Sequence, residues 1–216
     1  MRTLLAWLLW LWIALVIVGA LIWSPLAVGF KGQSSRILFF HVPMAWVSFL
    51  AFLTAGWWSI AYLLRRNPRS DLRARVAVEL GLMFCILATV TGAIWARIMW
   101  GTYWNWDPRE ITIVLALLFY GAYLALRSAI EDAETEARLA AVYAVLGVVV
   151  APFFYFVLPR ISGFTLHPEP VVNGSGRIEM EWHMQVVLFG SLVGFTALFY
   201  WLHSLQCRLE RRRETA

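Results

Sequence analysis

Positions 100–112 read WGTYWNWDPREIT and crowd Trp100, Trp104, Trp106, Tyr103, Asp107 and Arg109 into one short stretch. Tryptophan and tyrosine offer large flat apolar faces with one polar edge. That suits a flat apolar ligand as well as a membrane interface. The Arg109 guanidinium can take a carboxylate through two parallel hydrogen bonds. The chain has four candidate imidazole ligands, His41, His167, His183 and His203. A lone histidine is more often a hydrogen-bonded structural residue than a ligand, so placement must decide among them. Asp107 opens a helix-start signature, with Asp at N-cap, Pro108 at N1 and Glu110 at N3. Its carboxylate therefore has a structural use, which can coexist with shaping the stretch.

The elements that position these residues follow from composition. The 216 residues are 61% hydrophobic and 14% charged, with a mean hydropathy of +0.69. A soluble domain carries about 25% charged residues, so the chain is read as an all-α integral membrane protein. Crossing about 30 Å of hydrocarbon takes roughly 20 apolar residues. Six windows qualify, 4–23, 42–64, 76–95, 111–126, 139–158 and 184–205, the fourth being the shortest. Little remains outside them. The expectation is one domain over 1–216, a bundle of six transmembrane helices with outer loops at about 24–41, 96–110 and 159–183.

Arginine and lysine in the loops set the orientation. One side carries twelve, concentrated at 65–75 and 208–213, and the other six. The first side is assigned to the cytoplasm, with both termini there and the tryptophan-rich loop outside. Contact with anionic lipid heads accounts for the net charge of +5 without a nucleic-acid partner. Span 1 is longer than a signal-peptide core and reads as a retained anchor. Cys85 falls mid-span and Cys207 at an inner end, with no CxxC or CxxCH, so neither a disulfide nor covalent c-type haem is expected. The segment 65–75 reads as a solvated inner loop, and the acidic 128–138 as a second. Ser34 or Ser35 is a candidate cap for a short turn before span 2. Pro43 suits the first turn of that span, placing His41 at its outer mouth. Pro152 predicts a kink or a freed carbonyl in span 5, and the aromatic run 153–156 reads as packing. Pro and Gly mark irregular structure in the long connection after span 5.

Parity brings the candidates together. With six spans, the connections holding His41, the tryptophan stretch and His167 emerge on one face. His203 lies at the opposite end. His183, at the start of span 6, is a rival to His167.

The ordered string Trp100-Gly101, Trp104, Trp106-Asp107 and Arg109 matches WGxxWxWDxR, and resembles the tryptophan-rich signature of the haem-handling proteins of cytochrome c maturation. The His-Val-Pro string at His41 and the Thr-Leu-His string at His167 resemble the flanking histidine regions of the CcmC family, and the likeness covers essentially the whole chain. The resemblance implies non-covalent haem b at the periplasmic face of the bacterial inner membrane. His41 and His167 would be the axial ligands of the iron. Trp100, Gly101, Trp104, Trp106, Asp107 and Arg109 would form the platform, with Arg109 suited to a propionate. It also implies presentation of haem to the chaperone CcmE, and CcmA, CcmB and CcmD as partners in an ABC-type release complex. The chemistry fits, since haem iron takes axial imidazoles and porphyrin faces favour aromatic contact. The only lysine, Lys31, follows Phe30, so no phosphate-binding GxxxxGK loop exists and any ATP is hydrolysed by another chain. The role expected is positioning rather than acid–base catalysis. Two other classes remain open: a membrane subunit moving electrons through b-type haem, which calls for mid-span histidines that this chain lacks, and a structural permease subunit that holds no haem.

Overall fold

Six helical stretches are long and apolar enough to cross a membrane, and no strand occurs among the described residues. The computed structural model describes residues 2–167 and 180–213. The Pro- and Gly-rich part of the connection after span 5, with Arg177, lies outside the described residues. Helix α1 (Arg2–Val18) runs on through a π-turn at Gly19–Trp23. A 3-10 turn at Ser34–Ile37 leads into α2 (Leu38–Arg65). Then come α3 (Pro68–Trp100), α4 (Pro108–Ser128) and α5 (Ala133–Pro152). Helix α5 continues as a π-turn, Phe153–Val157, and a short α6 (Leu158–Ile161), and α7 spans Trp182–Arg213.

The helices outrun the hydropathy windows, most of all at α3. The expected inner loop 65–75 shrinks to a turn at Arg66 and Asn67. Arg66 is left-handed (φ 50°), and the Asn67 side chain accepts the Arg69 N–H at 3.0 Å, with Pro68 at N1. Hydropathy marks where the apolar stretch ends, whereas backbone bonding continues until a cap stops it. The connection between α4 and α5 is a short turn closed by Asp132, which accepts the Thr135 N–H at 2.8 Å.

Two further expectations are corrected at the start of α2. Ser34 and Ser35 lie inside the 3-10 turn, whose N-cap is Gln33; the Ser35 hydroxyl instead accepts the Ala27 N–H at 3.3 Å. His41 is helical rather than in a loop, and Pro43 sits inside the helix instead of in its first turn. Proline has no N–H for the carbonyl four residues back. That carbonyl, of Phe39, is taken by the Ser191 hydroxyl of α7.

Helix α2 is central, packed on α3, α5 and α7, while α1 rests on α7. Close approach depends on small residues, as expected where lipid gives no hydrophobic drive between helices. Phe52 of α2 stacks on Tyr120 of α4 with ring centroids 3.5 Å apart. Gly81 makes room for Phe52, since a Cβ there would lie 2.7 Å from its ring. Gly147 does the same for the Tyr120 hydroxyl, which donates to the Gly147 carbonyl at 3.2 Å. On α7, Gly190 and Gly194 form a GxxxG pair. It receives Trp12 of α1, whose indole N–H donates to the Gly190 carbonyl at 2.8 Å.

The end away from the tryptophan loop is tied by Arg127. Its guanidinium donates twice to Asp71 of α3, both at 2.7 Å, and Nε lies 2.8 Å from Glu136 of α5. At the other end the connections touch: Lys31 Nζ donates to the Met99 carbonyl at 2.6 Å, and the Leu166 N–H to Asp107 at 2.6 Å. All three connections thus meet on one face, as parity requires.

The Arg127 side chain is only 10% exposed, and removing it leaves the part-buried carboxylates of Asp71 and Glu136, 16% and 24% exposed, without their cation. Because both still reach water, the cost is on the order of 1–3 kcal/mol, below that of breaking a fully buried pair. Arg127→Ala is expected to lower the thermal unfolding midpoint of the purified protein by several degrees. The exposed Arg138→Ala should leave it unchanged.

Candidate functional site

A cavity of about 510 Å³ opens at the end where the connections meet, within the roughly 300–1,000 Å³ usual for ligand sites. Its walls come from α2, α3, α4, α7 and the π-turn with α6. They are mostly apolar; the imidazoles of His41 and His167, the guanidinium groups of Arg109 and Arg160, the Glu110 carboxylate and the hydroxyls of Thr89, Thr112 and Tyr155 break that surface.

His41 enters from α2. Its Nδ1 lies 3.0 Å from the Ala88 carbonyl and 3.2 Å from the Thr91 hydroxyl of α3. The ring gets that close because residue 92 is glycine: a Cβ there would sit 2.9 Å from His41 Cε1. With Nδ1–H donated to the carbonyl, Nε2 carries the lone pair, as in a metal-ligating histidine oriented by a second-shell acceptor.

His167 enters from the third connection, and its Nδ1 lies 2.8 Å from Asp107 Oδ1. Asp107 is 1% exposed, and its carboxylate has four partners within the chain. It caps α4 through the Arg109 N–H at 2.9 Å. It also accepts the Thr165 hydroxyl at 2.9 Å and the Leu166 N–H at 2.6 Å. Glu110 completes the capping box, its carboxylate accepting the Asp107 N–H at 3.2 Å and the Asn105 N–H at 2.7 Å. Burial pushes the Asp107 carboxyl up, but the Arg109 and Leu166 amides, His167 and Thr165 outweigh it and hold it below its ordinary value. Burial lowers His167 to about 4, against the pull of Asp107 and with help from Arg109. The imidazole is therefore neutral at neutral pH, the form that binds metal.

The other expected platform residues divide by position. Trp104 and Arg109 line the cavity. Trp100 stands behind it, edge-on to Trp95 at 4.8 Å and to His167 at 5.2 Å. Gly101 ends α3 in the left-handed conformation, φ 88°, where a side chain is strained. Trp106 is also left-handed (φ 57°), uncommon for so bulky a residue. It is 74% exposed, edge-on to Trp104 at 6.0 Å. The loop thus turns one tryptophan inward and the next outward.

His183 is placed elsewhere, stacked on Trp182 at 3.7 Å and bonded through Nδ1 to Glu181. His203 lies at the far end, its Nε2 2.9 Å from the Arg73 carbonyl. Sequence reasoning missed Phe30, Trp95 and Arg160 and the α7 wall at Leu188 and Phe189. It also read 153–156 as packing alone, yet Tyr155 and Phe156 face the cavity. The break signalled by Pro152 was the available clue: the π-turn that follows it re-aims those side chains.

Comparison with known proteins adds a family. A profile described as "CcmC: Heme exporter protein C" matches residues 1–216. Heme exporter protein C of Bradyrhizobium diazoefficiens is 35% identical over 185 residues, covering 85% of this chain and 70% of the relative. That of Rhodobacter capsulatus is 32% identical over 206 residues, 92% and 83% of the two chains. The Escherichia coli K12 protein is 30% identical over 217 residues, 94% and 85%.

The His167 environment predicts a pH response. The unfolded chain binds the proton near the ordinary 6.5 and the folded chain near 4. Between those values the unfolded state holds more protons, so stability falls as pH drops from 6.5 towards 4. NMR titration of labelled histidine should put the His167 midpoint near 4. Asp107→Asn removes the group that pulls it up and should lower it further. A midpoint at 6 or above would contradict the buried placement.

Proposed function

The chain belongs to the CcmC family of heme exporter C proteins, and from that membership we propose that it holds haem b, non-covalently and as cargo, in the cavity between His41 and His167. The carrying observation is the convergence of two imidazoles, one from α2 and one from the connection after α6. Each is engaged through Nδ1, and both line one apolar cavity. Nε2 of each would then be the atom that ligates the iron. The donor set fits the group: neutral imidazole for the metal, aromatic and aliphatic walls for the macrocycle, and Arg109 and Arg160 at the rim for its carboxylates. Asp107, Gly101 and Trp100 would act through the others. Asp107 fixes the His167 ring and the start of α4, and Trp100 backs the imidazole. Trp104 would meet the macrocycle, and Trp106 the surroundings of the mouth.

We read the site as facing the periplasm from the bacterial inner membrane, within one six-span unit over 1–216. There it would present haem to the chaperone CcmE. The CcmA, CcmB and CcmD subunits of an ABC-type complex would drive release, since this chain carries no nucleotide motif. The contribution of this chain is positioning. Holding the haem edge still beside an incoming nucleophile converts an encounter into an oriented reaction, an effect worth several orders of magnitude.

Absorption spectra of protein purified with its chaperone test the assignment. Wild type should show low-spin bis-histidine haem. His41→Ala and His167→Ala should each shift the spectrum or lose most of the haem, and His203→Ala should match wild type. Gly92→Ala is the sharper variant, because its new Cβ presses on the His41 ring, 2.9 Å from Cε1, and displaces it while leaving the imidazole in the sequence. It should reduce haem content several-fold. Haem-free wild type, purified with haem and chaperone supplied, would instead favour a structural subunit.

A further inference from the structure

The outer end of the cavity is lined by Trp104, Arg109, Arg160 and His167, and its flank is formed by α7 on one side and the π-turn with α6 on the other. Helix α7 packs on α1, α2 and α3, whereas the π-turn and α6 pack on α4 and α5. Among the described residues these two walls share no extensive packing. The floor of the gap is aromatic. Trp46 of α2 donates its indole N–H to Thr196 of α7 at 3.2 Å, and Phe49 meets Phe156 edge-on at 4.9 Å. Phe156 and Phe189 stand on opposite sides as jambs. Trp46, Phe156 and Phe189 line the cavity and are also 38%, 39% and 44% exposed. Leu188, the neighbour of Phe189 on α7, is 1% exposed, so α7 is packed beside Phe189.

Depth decides what lies outside this window. At 1.5 Å per residue, Phe189 is roughly 10 Å in from the first turn of α7, and Trp46 is about 7.5 Å deeper than His41. Both lie several residues inside the apolar stretches of helices long enough to span a membrane, where such a helix meets hydrocarbon. We propose that the cavity is loaded sideways from the outer leaflet, through the window between Phe156 and Phe189. The guest is a flat apolar molecule that enters body first and carries its anionic groups at one edge. The polarity of the cavity matches such a guest, because the guanidinium groups sit at the outer end and the deep wall at Ala88, Phe49 and Leu188 is apolar. An amphiphile already lying in the leaflet, with carboxylates at headgroup level, keeps that orientation as it slides in and never transfers its apolar faces through water. This deepens the haem reading and rests on it.

The test uses full-length protein with Cys85 and Cys207 replaced by alanine and cysteines introduced as Phe156→Cys and Phe189→Cys. A cleavable bis-thiol linker bridges the window in vesicles of anionic and zwitterionic phospholipid. Haem is then supplied dissolved in the bilayer, and the rise of the bound absorption band gives the uptake rate. Bridging should slow uptake at least ten-fold, and cleavage before haem addition should restore it, so each sample is its own folding control. Independently, a bimane label on Phe189→Cys alone should be quenched by nitroxides on the acyl chains and protected when haem is bound. Equal uptake by bridged and cleaved protein overturns the window while leaving the haem site standing. So does a label that acyl-chain nitroxides never reach because a co-purified partner helix covers it. A cavity that takes no haem in vesicles or in detergent, bridged or not, overturns both.

Discussion

The buried carboxylate of Asp107 is the interaction on which the site depends. One side chain caps α4, receives two donors from the connection after α6, and sits against the His167 ring. Each partner would be satisfied by water in an open loop. Here the carboxylate is enclosed, so every bond also answers the cost of desolvating the charge. The start of α4, the tryptophan loop and the imidazole are therefore fixed relative to one another by a single group. Trp106 shows the strain this accepts. Asp107 must be extended to act as N-cap (φ −60°, ψ 145°), and the residue before it is driven into the left-handed region.

His41 is positioned by a different device. A missing Cβ at Gly92 lets the ring lie against α3, where a backbone carbonyl orients it. The remaining bundle repeats that theme. Gly81 under Phe52, Gly147 under Tyr120 and Gly194 under Trp12 each exchange a side chain for the close seating of a large ring. Between helices in lipid, such contacts replace the hydrophobic drive that water supplies to soluble proteins. Ser191 adds a polar repair, covering the Phe39 carbonyl that Pro43 leaves without a helical donor.

The two ends of the bundle are consequently unlike. Away from the tryptophan loop, Arg127 binds α3, α4 and α5 through paired charges. At the loop end the helices splay around an apolar space with cations at its rim. A π-turn after Pro152 and a proline inside α2 both fall on the walls of that space, where regular hydrogen bonding is traded for the facing of Tyr155, Phe156 and His41.

The sequence by itself determined the features that rest on local or additive physics. Hydropathy depends only on composition, so it settled the six spans. Capping depends on three or four neighbouring residues, so Asp-Pro-Arg-Glu announced the start of α4 with the correct roles. Parity needs only the number of spans, so it placed three connections on one face. The extent of α3 was missed because its first two turns are charged, and hydropathy is blind to backbone bonding. Tertiary structure alone decided which of the signature residues meet. Trp104 and Arg109 line the cavity with both histidines, Trp100 backs one of them, Trp106 points away, and Trp95, Phe156, Arg160 and Phe189 join from elements with no shared motif. Where a side chain points depends on the distance and rotation of its helix against neighbours far away in the chain. Those are set by contacts such as Gly92 with His41 that no local pattern encodes.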